Sequence, residues 1–127
     1  MARRDYSQDL LRQRVEHWSK RLKVGPRIVR VRRMTRKWGS CSTKGIVTLA
    51  EDLAHQRPGF QDFVIAHELL HLRIPNHGKV FKALMNLHVP GWQNHDVARR
   101  VFRNGAQRYA ITKTRLRHSN AFPTKLS

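Results

Sequence analysis

A chain of 127 residues that is 39% hydrophobic can bury one modest core, so a single globular domain is expected. No apolar run approaches the ~18 residues of a membrane span, and the opening Met1-Ala2-Arg3-Arg4-Asp5 lacks the apolar stretch of a signal peptide. The lone Cys41 excludes an intramolecular disulfide and fits a reducing compartment, so a cytoplasmic protein is expected.

The net charge of +18 is unevenly spread. Residues 1–50 hold 14 Lys/Arg against Asp5, Asp9 and Glu16. Residues 51–98 are near neutral, with four basic and five acidic side chains, and residues 99–127 hold eight basic and no acidic ones. Basic flanks around a neutral centre attract polyanions, which makes nucleic acid a candidate partner. The competing reading is an ordinary solvated surface.

In chain order, residues 5–23 predict a helix, because Leu11, Val15, Trp18 and Leu22 form one apolar stripe. Gly25-Pro26 stops it. Residues 27–34, Arg-Ile-Val-Arg-Val-Arg-Arg-Met, predict a strand with a basic outer face. Arg30, Arg32, Arg33, Arg36 and Lys37 lie in the densest part of the charge and are the candidate nucleic-acid contacts. Trp38-Gly39-Ser40-Cys41-Ser42 leads to a turn at Thr43-Lys44-Gly45, and Ile46-Val47-Thr48-Leu49-Ala50 is a further strand. The short connections predict an antiparallel sheet or meander. Residues 51–55 can form one helical turn before the Arg57-Pro58-Gly59 loop.

Residues 60–74 contain no Pro or Gly and predict a helix of about four turns, with Pro75 stopping it. At its centre stands His67-Glu68-Leu69-Leu70-His71. Positions four apart share a helix face, so His67 and His71 can present two ring nitrogens to one metal ion. Glu68 is turned by about 100° from His67, an offset that suits a general base better than a ligand. A catalytic zinc site needs a third protein ligand, and the best candidate is His77, which follows the Pro75-Asn76 break and opens a second amphipathic segment to Met85. The five-residue pattern alone arises by chance in roughly one chain of this composition in a hundred; the helical context and the added His lower that further.

Residues 94–104 predict another helix, with Val97, Val101 and Phe102 inward and Arg99, Arg100 and Arg103 outward. The domain is expected to span residues 1–112, and 113–127 to be a basic, mobile tail. Glu51, Asp52 and Asp96 are candidates for orienting the histidines, and His88 and His95 are alternative ligands if the turn at Pro75 runs otherwise. Cys41 has no base at a paired spacing and reads as a small packed thiol rather than a nucleophile.

Arg36-Lys37-Trp38-Gly39-Ser40-Cys41-Ser42 with Gly45 and Leu49, then His67-Glu68-Leu69-Leu70-His71-Leu72 and Pro75-Asn76-His77 with Phe81, resembles the YgjP-like metallopeptidase domain. The third His followed by Gly78 and by Phe81-Lys82 is more distantly similar to the SprT-like domain. The resemblance implies an α+β, zincin-like fold: a small, mostly antiparallel sheet beside the metal-bearing helix, with flanking helices. It implies one Zn2+ held by His67, His71 and His77, with Glu68 as catalytic acid/base and a peptide or protein as substrate. Zincins hold an extended substrate against a strand beside the metal helix, so either Trp38, Gly39, Ser40 and Cys41 (with Ser42) or Ile46–Ala50 is expected to supply that edge. A monomer is expected. Two other readings stay open: a metal-dependent nucleotide or phosphoanhydride hydrolase, and a basic nucleic-acid-binding module in which Cys41 completes a structural zinc site.

Overall fold

The computed structural model describes residues 6–102, with side chains through Arg99. The tail predicted at 113–127 and the orientations expected of Arg100, Val101, Phe102 and Arg103 lie outside this description.

Helix α1 spans Tyr6–Leu22 and buries the predicted stripe of Leu11, Val15, Trp18 and Leu22. Its partner is helix α2, Pro58–Leu70. Asp62 of α2 accepts from Trp18 Nε1–H at 2.9 Å and from Arg14 Nη1–H at 2.8 Å, which fixes the register between the two helices. The α1 terminus closes with Val24 N–H on the Ser19 carbonyl at 3.0 Å, and Lys23, at φ 57°, takes the left-handed position. A Cβ-bearing residue pays about 1 kcal/mol there, where Gly is the usual choice.

Strands β1 (Ile28–Arg32), β2 (Gly39–Cys41) and β3 (Ile46–Ala50) form one sheet in the order β1-β3-β2. The α+β class is as expected, but the strand order is not a meander. β1 runs parallel to β3, pairing Ile28 with Ile46 through Arg32 with Ala50, while β2 is antiparallel to β3. Two strand spacings are only about 10 Å. Residues 33–38 therefore cross the end of β3 without a helix, and Ala50 N–H donates to the Trp38 carbonyl at 2.9 Å as they arrive. β3 is consequently central, and β2 is an edge strand.

A 3-10 turn, Glu51–His55, follows β3, as predicted. Buried Gln61 ties it down, donating from Nε2 to the Ala54 carbonyl at 3.2 Å and the Gln56 carbonyl at 2.9 Å. α2 starts with Pro58, whose missing N–H costs nothing in a first turn. Every residue from Phe60 to Leu70 except Asp62 is buried, so α2 is the core's central helix, apolar on nearly all sides. It ends at Leu70, before Pro75 could stop it; the chain tightens through His71 N–H on the Glu68 carbonyl and Leu72 N–H on the Leu69 carbonyl. Helices α3 (Lys79–His88) and α4 (Trp92–Phe102) complete the fold. Among the described residues no helix is long and apolar enough to cross a membrane.

Candidate metal centre

His67 lies on the last full turn of α2, and His71 caps that helix in right-handed helical conformation, so the i, i+4 stacking holds although the regular helix stops between them. His77 returns through a local turn. Asn76 Oδ1 accepts from Gly78 N–H at 3.0 Å, and Lys82 N–H on the Gly78 carbonyl starts α3. A Cβ on Gly78 would stand 2.9 Å from Asn76 Oδ1, so glycine admits the closed turn.

These elements bring one ring nitrogen from each of His67, His71 and His77 within 4.8 Å of one another. His71 Nε2 and His77 Nε2 are 2.9 Å apart. Two nitrogens on a tetrahedral zinc, each at ~2.05 Å, are about 3.3 Å apart, so a small outward shift fits the pair to that ion. In His67 and His71 the Nδ1 atom is engaged. His71 Nδ1 meets the Ile74 carbonyl at 3.1 Å and His67 Nδ1 meets Glu68 Oε2 at 3.2 Å. Both acceptors favour the tautomer with the proton on Nδ1, which leaves the Nε2 lone pair of these two rings to a cation. Burial, and then electrostatic repulsion between the neighbouring imidazoles, lower the pKa of both His71 and His77 below the ordinary 6.5, which favours the neutral, ligating form of both rings.

Phe81 of α3 is the common wall. It is 1% exposed, with ring centroids 5.4 Å from His67, 4.9 Å from His71 and 4.8 Å from His77. Phe81 belongs to the motif that carries the family resemblance, but its spacing along the chain gives no sign that it packs on all three rings. Arg99 and Asp96 of α4, themselves bonded at 2.7 Å, lie close enough for their charges to act on His77 in opposite directions.

Glu68 is 7% exposed and faces β2. A Cβ at Gly39 would stand 3.0 Å from Glu68 Cγ, so glycine lets the strand approach the carboxylate. The ladder assigns direction along β2. Trp38 bonds to Ala50 and Ser42 to Ile46, with Ser40 opposite Thr48 between them. Gly39 and Cys41, at the alternating non-bonded pairs, therefore turn their N–H and C=O groups to the free edge. β3, bonded on both sides, has no such edge, which removes Ile46–Ala50 as the substrate strand.

Cys41 is half-buried, and burial followed by the Glu68 carboxylate pushes its thiol pKa up. Trp38 is 1% exposed and packs edge-on to Phe60 at 5.2 Å, so its side chain belongs to the core rather than to a cleft wall. His95 stacks on Phe63 at 5.8 Å and His88 lies at the end of α3, so neither joins the imidazole cluster. Glu51 is exposed on the 3-10 turn, and the orienting contacts to His67 and His71 come from Glu68 and a carbonyl instead. Arg30, Arg32, Arg33, Arg36 and Lys37 are all exposed, Arg30 and Arg32 on the outer face of β1.

Comparison with curated proteins finds no match. Among solved structures the fold is similar to the metallopeptidase zymogen jannalysin of Methanocaldococcus jannaschii, with a TM-score of 0.61 and 20% identity over 88% of this chain and 99% of that one. It is also similar to the zymogen abylysin of Pyrococcus abyssi, with a TM-score of 0.58 and 18% identity over 69% and 92% of the two chains. Residues 2–98, which include the three converging histidines, match the family model described as YgjP-like, metallopeptidase domain, and the chain belongs to the YgjP-like family.

Proposed function

We propose that the chain is a zinc-dependent metallopeptidase in which His67, His71 and His77 hold the ion and Glu68 is the general acid/base. The observation that carries this reading is three imidazole nitrogens within 4.8 Å of one another beside a buried carboxylate. A bound zinc would supply Lewis-acid polarisation of the scissile carbonyl and acidify a water near neutral pH. Glu68 takes the proton from that water at a carboxylate oxygen and returns it to the leaving amine. The rings of His67 and His71 are held in orientation through Nδ1, and Phe81 excludes water from their far side. Gly39 and Cys41 accept an extended peptide along the β2 edge by main-chain hydrogen bonds.

The decisive variant is Glu68→Gln, which keeps shape and removes the base. The reading expects zinc content and melting behaviour near wild type with peptide turnover lost by about 10²-fold or more. Turnover at the wild-type rate would overturn it; unchanged turnover on nucleoside triphosphates with none on peptides would move the activity to phosphoanhydrides.

The same reading makes the enzyme a cytoplasmic monomer whose basic flank contacts nucleic acid. Its support is the alternation along β1, which presents Arg30 and Arg32 outward beside exposed Arg33, Arg36 and Lys37. Retention on immobilised DNA or RNA should fall steeply with salt, and absence of retention at low salt would refute this part.

A further inference from the structure

Beyond the metal centre lies a cleft of about 430 Å³, bounded by the break after α1, the β2–β3 turn and the end of α2. Its wall carries Lys23, Arg27, Lys44 and Arg73, contains no acidic side chain, and ends on His71. Among the described residues none of these four cations forms an ion pair. Two of them are steadied by main-chain carbonyls: Arg27 Nη1 donates to Lys44 at 3.4 Å and Arg73 Nη1 to Leu22 at 3.2 Å.

Some of this charge answers the ends of two helices, because α1 finishes at Leu22 and α2 at Leu70. Each carbonyl end is equivalent to about −0.5 charge, so two ends against four full charges leave a surplus of roughly +3. All four side chains are solvent-exposed, and they converge on one concavity, whose walls focus their field more than a convex face would.

The position of the cleft matters as much as its charge. β2 passes Glu68 at Gly39 and reaches the cleft wall at Ser42. Three residues of strand at ~3.3 Å each separate the two points by about 10 Å. A peptide paired with the outward groups of Gly39 and Cys41 therefore delivers a side chain two or three residues from the cleaved bond into the cleft. We infer that the cleft is a specificity subsite for an acidic side chain, Asp or Glu, of the peptide substrate, with Lys44, Arg27, Arg73 and Lys23 supplying the field. This rests on the metallopeptidase reading. A nucleic-acid strand is the poorer fit, since its phosphates need a row of cations rather than four around one concavity closed by a turn.

The test uses the full zinc-loaded chain and a positional library of quenched fluorescent peptides with Glu or Gln at each site. The wild type should prefer Glu over Gln at one position by about tenfold in kcat/KM, mostly through KM, and the preference should shrink at about 0.5 M salt. Lys44→Glu, an exposed change on a turn, should abolish the preference. Arg57→Glu makes the same change in net charge at the opposite end of α2, about 20 Å away, and should leave it intact. A wild type indifferent to Glu, or equal losses in the two variants, would overturn the subsite.

Binding separates this inference from the peptidase reading. Anisotropy of labelled Glu and Gln peptides on the Glu68→Gln chain should show the same acid preference, resistant to competition by inorganic phosphate at equal concentration. Acid-selective binding lost in Lys44→Glu, with no cleavage by the wild type, would keep the subsite and refute the peptidase. Displacement by a nucleoside triphosphate, with no discrimination between the peptides, would refute the subsite and assign the cleft to phosphate.

Discussion

Adding one methyl group at Gly39 tests whether the close approach of β2 to the carboxylate matters. A Cβ there would lie 3.0 Å from Glu68 Cγ, 3.2 Å from the Thr48 carbonyl oxygen and 3.3 Å from Leu49 Cδ2. The Thr48 carbonyl is fixed in the central strand and Leu49 is fully buried, so β2 has to shift by a few tenths of an ångström and Glu68 has to move off as well. Restoring ordinary contact at 3.4 Å requires a shift of at least 0.4 Å. Overpacking of this kind costs about 1–3 kcal/mol, while Ala returns about 0.4–1 kcal/mol by restricting the unfolded chain. Gly39→Ala should therefore lose about 1–2 kcal/mol of stability and, with its general base displaced, about 10- to 100-fold in kcat/KM. Zinc content should stay near the wild-type level, because none of the three atoms nearest the added Cβ belongs to a histidine and the ligand nitrogens keep their positions on α2 and the turn before α3. Thermal unfolding by circular dichroism, elemental analysis and a fluorescent peptide assay read the three quantities. A variant with full activity and an unchanged melt would show that Glu68 does not depend on this contact.

The Cys41 thiol should react with a disulfide reagent at pH 8 more slowly than a free cysteine, because burial and then Glu68 hold its pKa up, and Glu68→Gln should quicken it; a faster-than-free rate would contradict the geometry. For the metal-free chain, His71 and His77 have pKa values lowered chiefly by burial, as has His88, where Arg21 adds a smaller effect. The unfolded chain then binds more protons than the folded one just below the ordinary 6.5, so stability is full above that value and is lost as pH falls towards the lowered pKa values. The urea midpoint should drop between about pH 7.5 and 5.5; a rising midpoint would reverse the sign argued here.

Much of the site was legible because it depends on local periodicity. His67 and His71 are four apart in an unbroken apolar run, and Pro75-Asn76-His77-Gly78 spells a turn followed by a new helix start. The end of α2 at Leu70 was not legible, because nothing in the residues 71–74 forbids another turn; the chain leaves the helix through i, i−3 bonds instead. Strand order was also hidden. Whether residues 33–38 turn back beside β1 or cross the end of β3 depends on where the buried face of β3 meets α2, a tertiary matter that short loop length does not decide. The same holds for Trp38. The residues alone allow its ring either a core or a cleft-wall position, and the fold puts it in the core against Phe60. Phe81 and Arg99 bear on the imidazoles only because α3 and α4 fold back over α2, and no spacing along the chain shows that.

The most direct measurement of the central claim is metal content by elemental analysis on the wild type and on His77→Ala. The account predicts about one zinc per wild-type chain, and a His77→Ala chain that is folded but has lost the ion or holds it far more weakly. No metal in the wild type after incubation with zinc, or equal retention by His77→Ala, would contradict a catalytic site built on His67, His71 and His77.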